Sequence, residues 1–329
     1  MLSRVAETIY WMNRYIERAE NYARFMDVNF NLSLELPPDI SEQWKPLVVT
    51  TGDWNLYESL YGNEEKSKVI FFLGFDAENP NSIFSCLVKA RENARAVRPE
   101  ITREVWEQIN YLYYFVKEGV DKRRWERNDP RSFFIEVKKG CQLLYGIFDS
   151  TISKTEGWHF GKIGQLIERA DKTSRVLDVK YHMLLPTTDA VGSPLDLVQW
   201  SALLKSVSAY DMYRKKYGKL NPQSISEFLI FDKMFPRSMV SCLVGAEQSL
   251  HAISTYEDRY SNRAEKHLGM VKSQLEYADI SDVFNTGLHE YLDTFQLKLN
   301  GVSEEIFNAF FSIEKILNDN QLKTNQILQ

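Results

Sequence analysis

The chain repeats itself. Residues 16–32 (IERAENYARFMDVNFNL) align with residues 167–183 (IERADKTSRVLDVKYHM), and seven of seventeen positions are identical. Residues 43–62 (QWKPLVVTTGDWNLYESLYG) align with 199–218 (QWSALLKSVSAYDMYRKKYG) at six of twenty, and 80–90 (PNSIFSCLVKA) with 236–246 (PRSMVSCLVGA) at seven of eleven. The offset is 151 in the first match and 156 in the other two, so order is kept with one five-residue change. Shared helical periodicity would align leucines; it would not align Trp44 with Trp200, Pro80 with Pro236, Cys86 with Cys242 or Gly62 with Gly218. The pattern reads as a duplicated unit, with halves 1–155 and 156–329. A unit that cannot bury its apolar face alone buries it against its copy. The expectation is therefore an all-α helical bundle of two tandem halves, packed about a pseudo-twofold axis and merged into one domain.

The spacing of apolar residues supplies the helices. Val5, Ile9, Met12, Ile16, Ala19, Ala23, Met26 and Phe30 step alternately by four and three, as an amphipathic helix requires. This predicts a helix over 2–32, stopped by Pro37 and Pro38, and a copy over 158–185 stopped by Pro186. Further helices are expected near 42–62, 80–97, 99–118, 130–154, 195–217, 222–232, 236–257, 260–277 and 280–318. Residues 63–79 read as a loop; VIFFLG at 69–74 is strand-like but short.

Composition narrows the function classes. Hydrophobic residues make up 44% and charged residues 26%, so the chain buries a core and is not disordered. The net charge is −5 and Lys and Arg form no long run, which argues against nucleic acid. Charges recur through the first thirty residues, leaving no signal peptide and no membrane span. Cys86, Cys141 and Cys242 are unclustered and odd in number; they point to a reducing cytoplasm rather than disulfides or zinc.

One row of the first helix is restated with its signs intact. Glu17, Glu20, Arg24 and Asp27 lie one step round from the apolar stripe, and their counterparts are Glu168, Asp171, Arg175 and Asp178. Arg18 and Arg169 flank the two rows. Glu20 can pair with Arg24 at i,i+4 and Arg24 with Asp27 at i,i+3. Solvated pairs are worth a few tenths of a kcal/mol, too little to explain such a restatement. Three readings follow: ion pairs between the two copies, with bidentate arginines fixing their register; a polar pocket in which Glu17 or Glu168 serves as general acid, base or cation ligand; or a solvated face.

The amino terminus, MLSRVAETIYWMNRYIERAENYAR, resembles the alpha-E family, also called DUF403, a bacterial all-helical family named for a Glu-Arg motif. ARENARAVRPEI with VWEQIN at 90–110, EGWHFGKIGQLIERAD at 156–171 and EFLIFDKMFPRSM at 227–239 are similar to it as well. The resemblance carries no established activity. It implies partners: a circularly permuted ATP-grasp peptide ligase and a transglutaminase-like cysteine protease, in the synthesis or processing of a peptide or amide-linked product.

Other constellations are weaker. Arg91, Arg95 and Arg98 would line one face of a helix, with Glu92 beside them, and could hold a carboxylate or phosphate. The aligned copy, AEQSLHAIS, lacks these arginines, which favours a ligand or partner contact over packing. In FPRS, Pro236 marks a helix start whose first N–H groups and Arg237 could meet an anion; Ser238 as an N-cap is the simpler reading. Glu156 and His159 form an isolated ExxH where a di-iron bundle wants two. No Gly-rich phosphate loop occurs. No metal and no cofactor are expected. The preferred reading is a non-catalytic accessory protein that binds the ligase or its peptide substrate, Arg91, Arg95, Arg98 and Arg237 meeting acidic groups. The competing reading is an enzyme acting on an amide or peptide through Glu17 or Glu168; a third is a self-assembling structural protein.

Overall fold

A computed structural model describes residues 1–35, 44–126, 130–182, 193–254 and 262–312. Fifteen α-helices occur among them, and no strand. In order they are α1 Ser3–Glu35, α2 Lys45–Thr51, α3 Trp54–Tyr61, α4 Lys66–Gly74, α5 Ile83–Ala96, α6 Arg103–Asp121, α7 Arg131–Thr151, α8 Glu156–His182, α9 Pro194–Ser206, α10 Tyr210–Tyr217, α11 Pro222–Phe231, α12 Met239–Ile253, α13 Arg263–Tyr277, α14 Ile280–Thr286 and α15 Leu288–Ile306. A π-helical turn, Phe307–Phe311, follows. Pro37, Pro38 and Pro186, expected to stop the two long helices, lie outside the described residues, as do the expected helical ends at 42–43, 183–185, 255–257, 260–261 and 313–318.

The expected helices form, with three corrections. The stretches 42–62 and 195–217 are each two helices, broken where the backbone turns left-handed, at Gly52 (φ 82°) and Ser208 (φ 53°). Gly287 (φ 98°) likewise divides 280–318. The supposed loop 63–79 contains α4, and VIFFLG is helical. Val69, Ile70, Phe72 and Leu73 are all buried in it. Within 69–74 only Phe71 is not fully buried, so this stretch has no polar face, loses the 3.6-residue period and reads as an apolar run.

At the centre α1 and α8 run side by side in the same direction. Their contacts advance together: Tyr10 meets Gly164, Arg14 and Arg18 meet Glu168, Glu17 meets Arg169, and Phe25 and Val176 line one hollow. A Cβ at Gly164 would sit 2.4 Å from the backbone oxygen of Tyr10, and one at Gly161 2.8 Å from Asn13 Nδ2. Glycine at these two places lets the backbones approach. Around this pair α5 and α7 pack on α1, and α12 and α15 pack on α8. The short helices cross over: α2 packs on α8, and α9 packs on α1. One continuous apolar core draws residues from both sides of residue 155.

Caps recur at matched positions. Ser82 accepts from the Ser85 N–H at 3.0 Å, and Ser238 from the Ser241 N–H at 3.1 Å. Cys86 and Cys242 lie four residues on, both fully buried. Among the described residues no helix is long and apolar enough to cross a membrane.

Candidate functional site: the Glu-Arg ladder

The polar row of α1 faces the helices packed on it and is cut off from bulk water, with Glu20 0% and Arg24 3% exposed. Glu17 and Glu168 are both 0% exposed. A buried carboxylate has to be paired or protonated, and here each is paired from the opposite helix. Arg169 grips Glu17 with two bonds, Nε to Oε1 at 2.9 Å and Nη2 to Oε2 at 2.8 Å. Arg18 grips Glu168 in the same way, at 2.7 and 3.1 Å. Each Glu-Arg dipeptide thus gives its acid to the other's base and takes the other's acid in return. Parallel N–H···O pairs of this kind fix geometry as well as charge.

Each rung has further supports. Glu17 also accepts from Asn21 Nδ2 at 3.0 Å and from Arg237 Nη1 at 3.3 Å. Arg237 reaches Glu20 at 2.7 Å, and Arg24 holds the other oxygen of Glu20 at 2.6 Å. On the other helix Glu168 receives Arg14 at 2.9 Å and Lys172 at 3.5 Å, while Lys172 and Arg175 hold Asp171. Arg24 also donates to the Ser208 hydroxyl, and Arg175 lies against Gly52, the two left-handed turn residues. The fourth members of the rows leave the seam: Asp27 pairs with Arg131 and Lys138 of α7, and Asp178 with His289 of α15. The expected Arg24–Asp27 pair does not form, since Arg24 is occupied by Glu20 and Ser208.

The electrostatics follow from this crowding. Burial pushes the Glu17 carboxyl up, but Arg169 and Arg237 outweigh it and hold it at about 2. Burial likewise works against Glu168, and Arg18, Lys172 and Arg14 hold it well below the usual range. For Asp171 burial is again outweighed, by Lys172 and Arg175, leaving it at about 2. These carboxylates are therefore ionised and saturated with donors at neutral pH. The cations outnumber them, and several keep an edge to solvent; Arg14, Arg18, Arg169 and Arg175 are 11–23% exposed. A metal cation has no place where every acid already faces cationic groups. Among the described residues no cluster of His, Cys, Asp and Glu suits a metal. Glu156 of the ExxH instead binds the amino terminus, and His159 packs edge-on to Trp158.

A matching description exists for this pair of dipeptides. Residues 1–311 match the model of a family described as a predicted alpha-helical domain with a conserved ER motif, Alpha-E. The chain belongs to the Alpha-E family. This Alpha-E chain is also similar to uncharacterised proteins of Mycobacterium bovis and Mycobacterium tuberculosis, each 24% identical over 262 residues. The match covers 72% of the Alpha-E chain but 28% of each relative, so it spans under a third of their length. No solved structure matches it.

The remaining candidates lie elsewhere. Helix α5 ends at Ala96, and Arg98 sits in a 3-10 turn over 98–100, so Arg91, Arg95 and Arg98 do not form one helical row. Pro99 is the reason: it has no N–H for the Arg95 carbonyl and its ring crowds that group, so the α-helix cannot run on and Arg98 falls in the tighter turn. Arg91 donates to Asn110 at 2.7 Å and lies over the Tyr113 ring at 4.7 Å; Arg98 lies over Trp106 at 5.2 Å. Arg95 projects outward, 3.5 Å from Glu92. Arg237 meets acids of its own chain, and Ser238 caps α12. Sequence comparison of the halves missed Arg14, Asn21 and Lys172. Arg14 aligns with Gln165 and Asn21 with Lys172, so a search for restated residues passes over them. Their signal was spacing alone: Arg14 and Arg18 share a face at i,i+4, as do Glu168 and Lys172.

Proposed function

We propose that this chain is a non-catalytic accessory module that works with an ATP-grasp-type peptide ligase and a transglutaminase-like protease, binding the ligase or its peptide substrate in the cytoplasm. The observation that carries the reading is the closure of both glutamates. A general acid–base glutamate needs access to substrate and a pKa near the working pH. Glu17, sealed from solvent and held at about 2, has neither. The Glu-Arg pairs are then the clasp between two duplicated halves about a pseudo-twofold axis. The reciprocal bonds speak for that duplication, as do the matched contacts Arg24–Ser208 and Arg175–Gly52. The mycobacterial relatives, far longer than the matched segment, favour a module that operates beside other activities. Three buried free cysteines fit a reducing compartment. Arg91, Arg95 and Arg98 are the groups offered to an acidic partner, with Glu92 beside them.

The test is Glu17→Gln and Glu168→Gln, each assayed for melting temperature, for co-purification with the ligase and for turnover of the ligase system. Lowered stability with binding retained is the expected result. Unchanged stability with lost turnover would return the glutamates to catalysis.

A further inference from the structure

One stretch of surface on the second half carries apolar residues that the fold does not require. Met234, in the turn before α12, is 89% exposed, and Tyr277, the last residue of α13, is 90% exposed. The residues just before them, Lys233 and Glu276, are joined at 2.8 Å, so both belong to one patch. At the offset of 156 the corresponding residues are Glu78 and Asp121, both exposed. The settings match. The Met234 N–H donates to Asp232 Oδ1 as the Glu78 N–H donates to Asp76 Oδ1, and Asp121 closes α6 as Tyr277 closes α13. A carboxylate is thus accepted at each place, and the apolar side chains there have no packing to do inside the chain.

Charge is segregated on either side of the patch. On one side Lys216 of α10 reaches Asp232 at 2.8 Å, and the neighbouring Lys215 and Lys219 are exposed. Their counterparts, Ser59 and Asn63, are uncharged, although Tyr57 donates to the Asn63 carbonyl as Tyr213 does to that of Lys219. On the other side Asp279 and Asp282 begin α14, just beyond Tyr277; both are exposed, and their bonds go to backbone N–H groups. Among the described residues none of these four charges is ion-paired.

We propose that this face joins two copies of the chain in an isologous dimer. Met234 and Tyr277 pack about the twofold axis, and Lys215 and Lys219 of each copy meet Asp279 and Asp282 of the other. A strip that is basic at one end, apolar in the middle and acidic at the other is complementary to itself after a half-turn. Charge pairing of this kind fixes the register and disfavours other contacts. The matching face of the first half has Glu78 and Asp121 at its middle and offers no apolar centre, so each chain makes the contact once and the assembly closes at two. The inference goes beyond the accessory reading and does not depend on it.

Sedimentation velocity of the intact chain, from about 1 μM to about 1 mM at low salt, should show monomer giving way to dimer. Met234→Glu with Tyr277→Asp writes the first half's residues into the second; it should melt cooperatively, like the dilute wild type, and weaken dimerisation at least tenfold. Lys215→Glu with Lys219→Glu should weaken it as much, because four acids then face one another across each end. If the first variant melts without cooperativity, the second, confined to exposed side chains, decides. A dimer that the folded variants leave unchanged, or growth beyond two copies, would overturn the proposal. So would a chain that stays monomeric throughout, which would leave the patch to a different protein.

Discussion

Replacing Glu17 by glutamine is the sharpest perturbation of this structure, because it removes one charge and almost no volume. Two routes give its size. A folded-state pKa of about 2 against an ordinary 4.5 corresponds to roughly 3 kcal/mol of preference for the ionised form. Independently, removing one partner of a buried ion pair costs about 3–5 kcal/mol, since the other charge is stranded. Glutamine keeps one acceptor oxygen for Arg169, so the lower figure, about 3 kcal/mol, is expected. At this chain length that lowers the melting temperature by roughly 4 °C. Arg169→Gln should also destabilise, and the double variant should fall short of the sum, with a coupling of about 0.5–3 kcal/mol. Thermal melts of the four proteins at pH 7 and moderate salt measure all of this. A loss below about 0.5 kcal/mol for Glu17→Gln, in the range of ordinary surface changes, would refute the buried clasp. So would single losses that simply add.

Further outcomes follow from the same coordinates. Glu17 takes up its proton near pH 4.5 when unfolded but at about 2 when folded, so its contribution is complete above about pH 4.5 and is lost as the pH falls towards 2. Urea titrations across that window should show stability rising with pH in the wild type, and less steeply, by about 3 kcal/mol in total, in Glu17→Gln. Gly164→Ala should destabilise by more than about 3 kcal/mol or prevent folding, because its Cβ meets backbone. Gly146→Ala, in open space on α7, should instead stabilise by about 0.5–1 kcal/mol in chemical denaturation. Burial raises the Cys86 and Cys242 thiols to about 12, so a thiol reagent at pH 8 should modify neither until denaturant is added; prompt labelling of the native chain would contradict their placement.

The residues that fixed register were the legible ones. The stripe is buried from Ile9 to Phe30 as its spacing implied, Val5 at its start being half-buried, and the restated signs at Glu17, Arg18, Glu168 and Arg169 mark the seam where the long helices meet. Three kinds of feature stayed hidden. Helix α4 lost its period because its run 69–74 is buried at every position but Phe71. The turns at Gly52 and Ser208 depend on left-handed backbone, for which serine gives little warning. Arg14, Asn21 and Lys172 join the ladder from positions where the halves differ, and only the folded geometry brings a lysine on one helix to do what Arg237, in the turn before α12, does on the other. Arg237 drew notice as an anion binder, but its anions proved to be the chain's own, Glu17 and Glu20, 220 and 217 residues away.

The two crossed grips also bear on how such a protein can evolve. Position 17 cannot change its sign while position 169 keeps its own, and the same holds for 18 and 168, although some 150 residues of chain separate the members of each pair. A tolerated exchange has to arrive in both places together, or swap acid for base across the seam. Drift at these four sites should therefore be joint, each pair behaving in descent as a single character, while the solvent-facing charges around them wander independently.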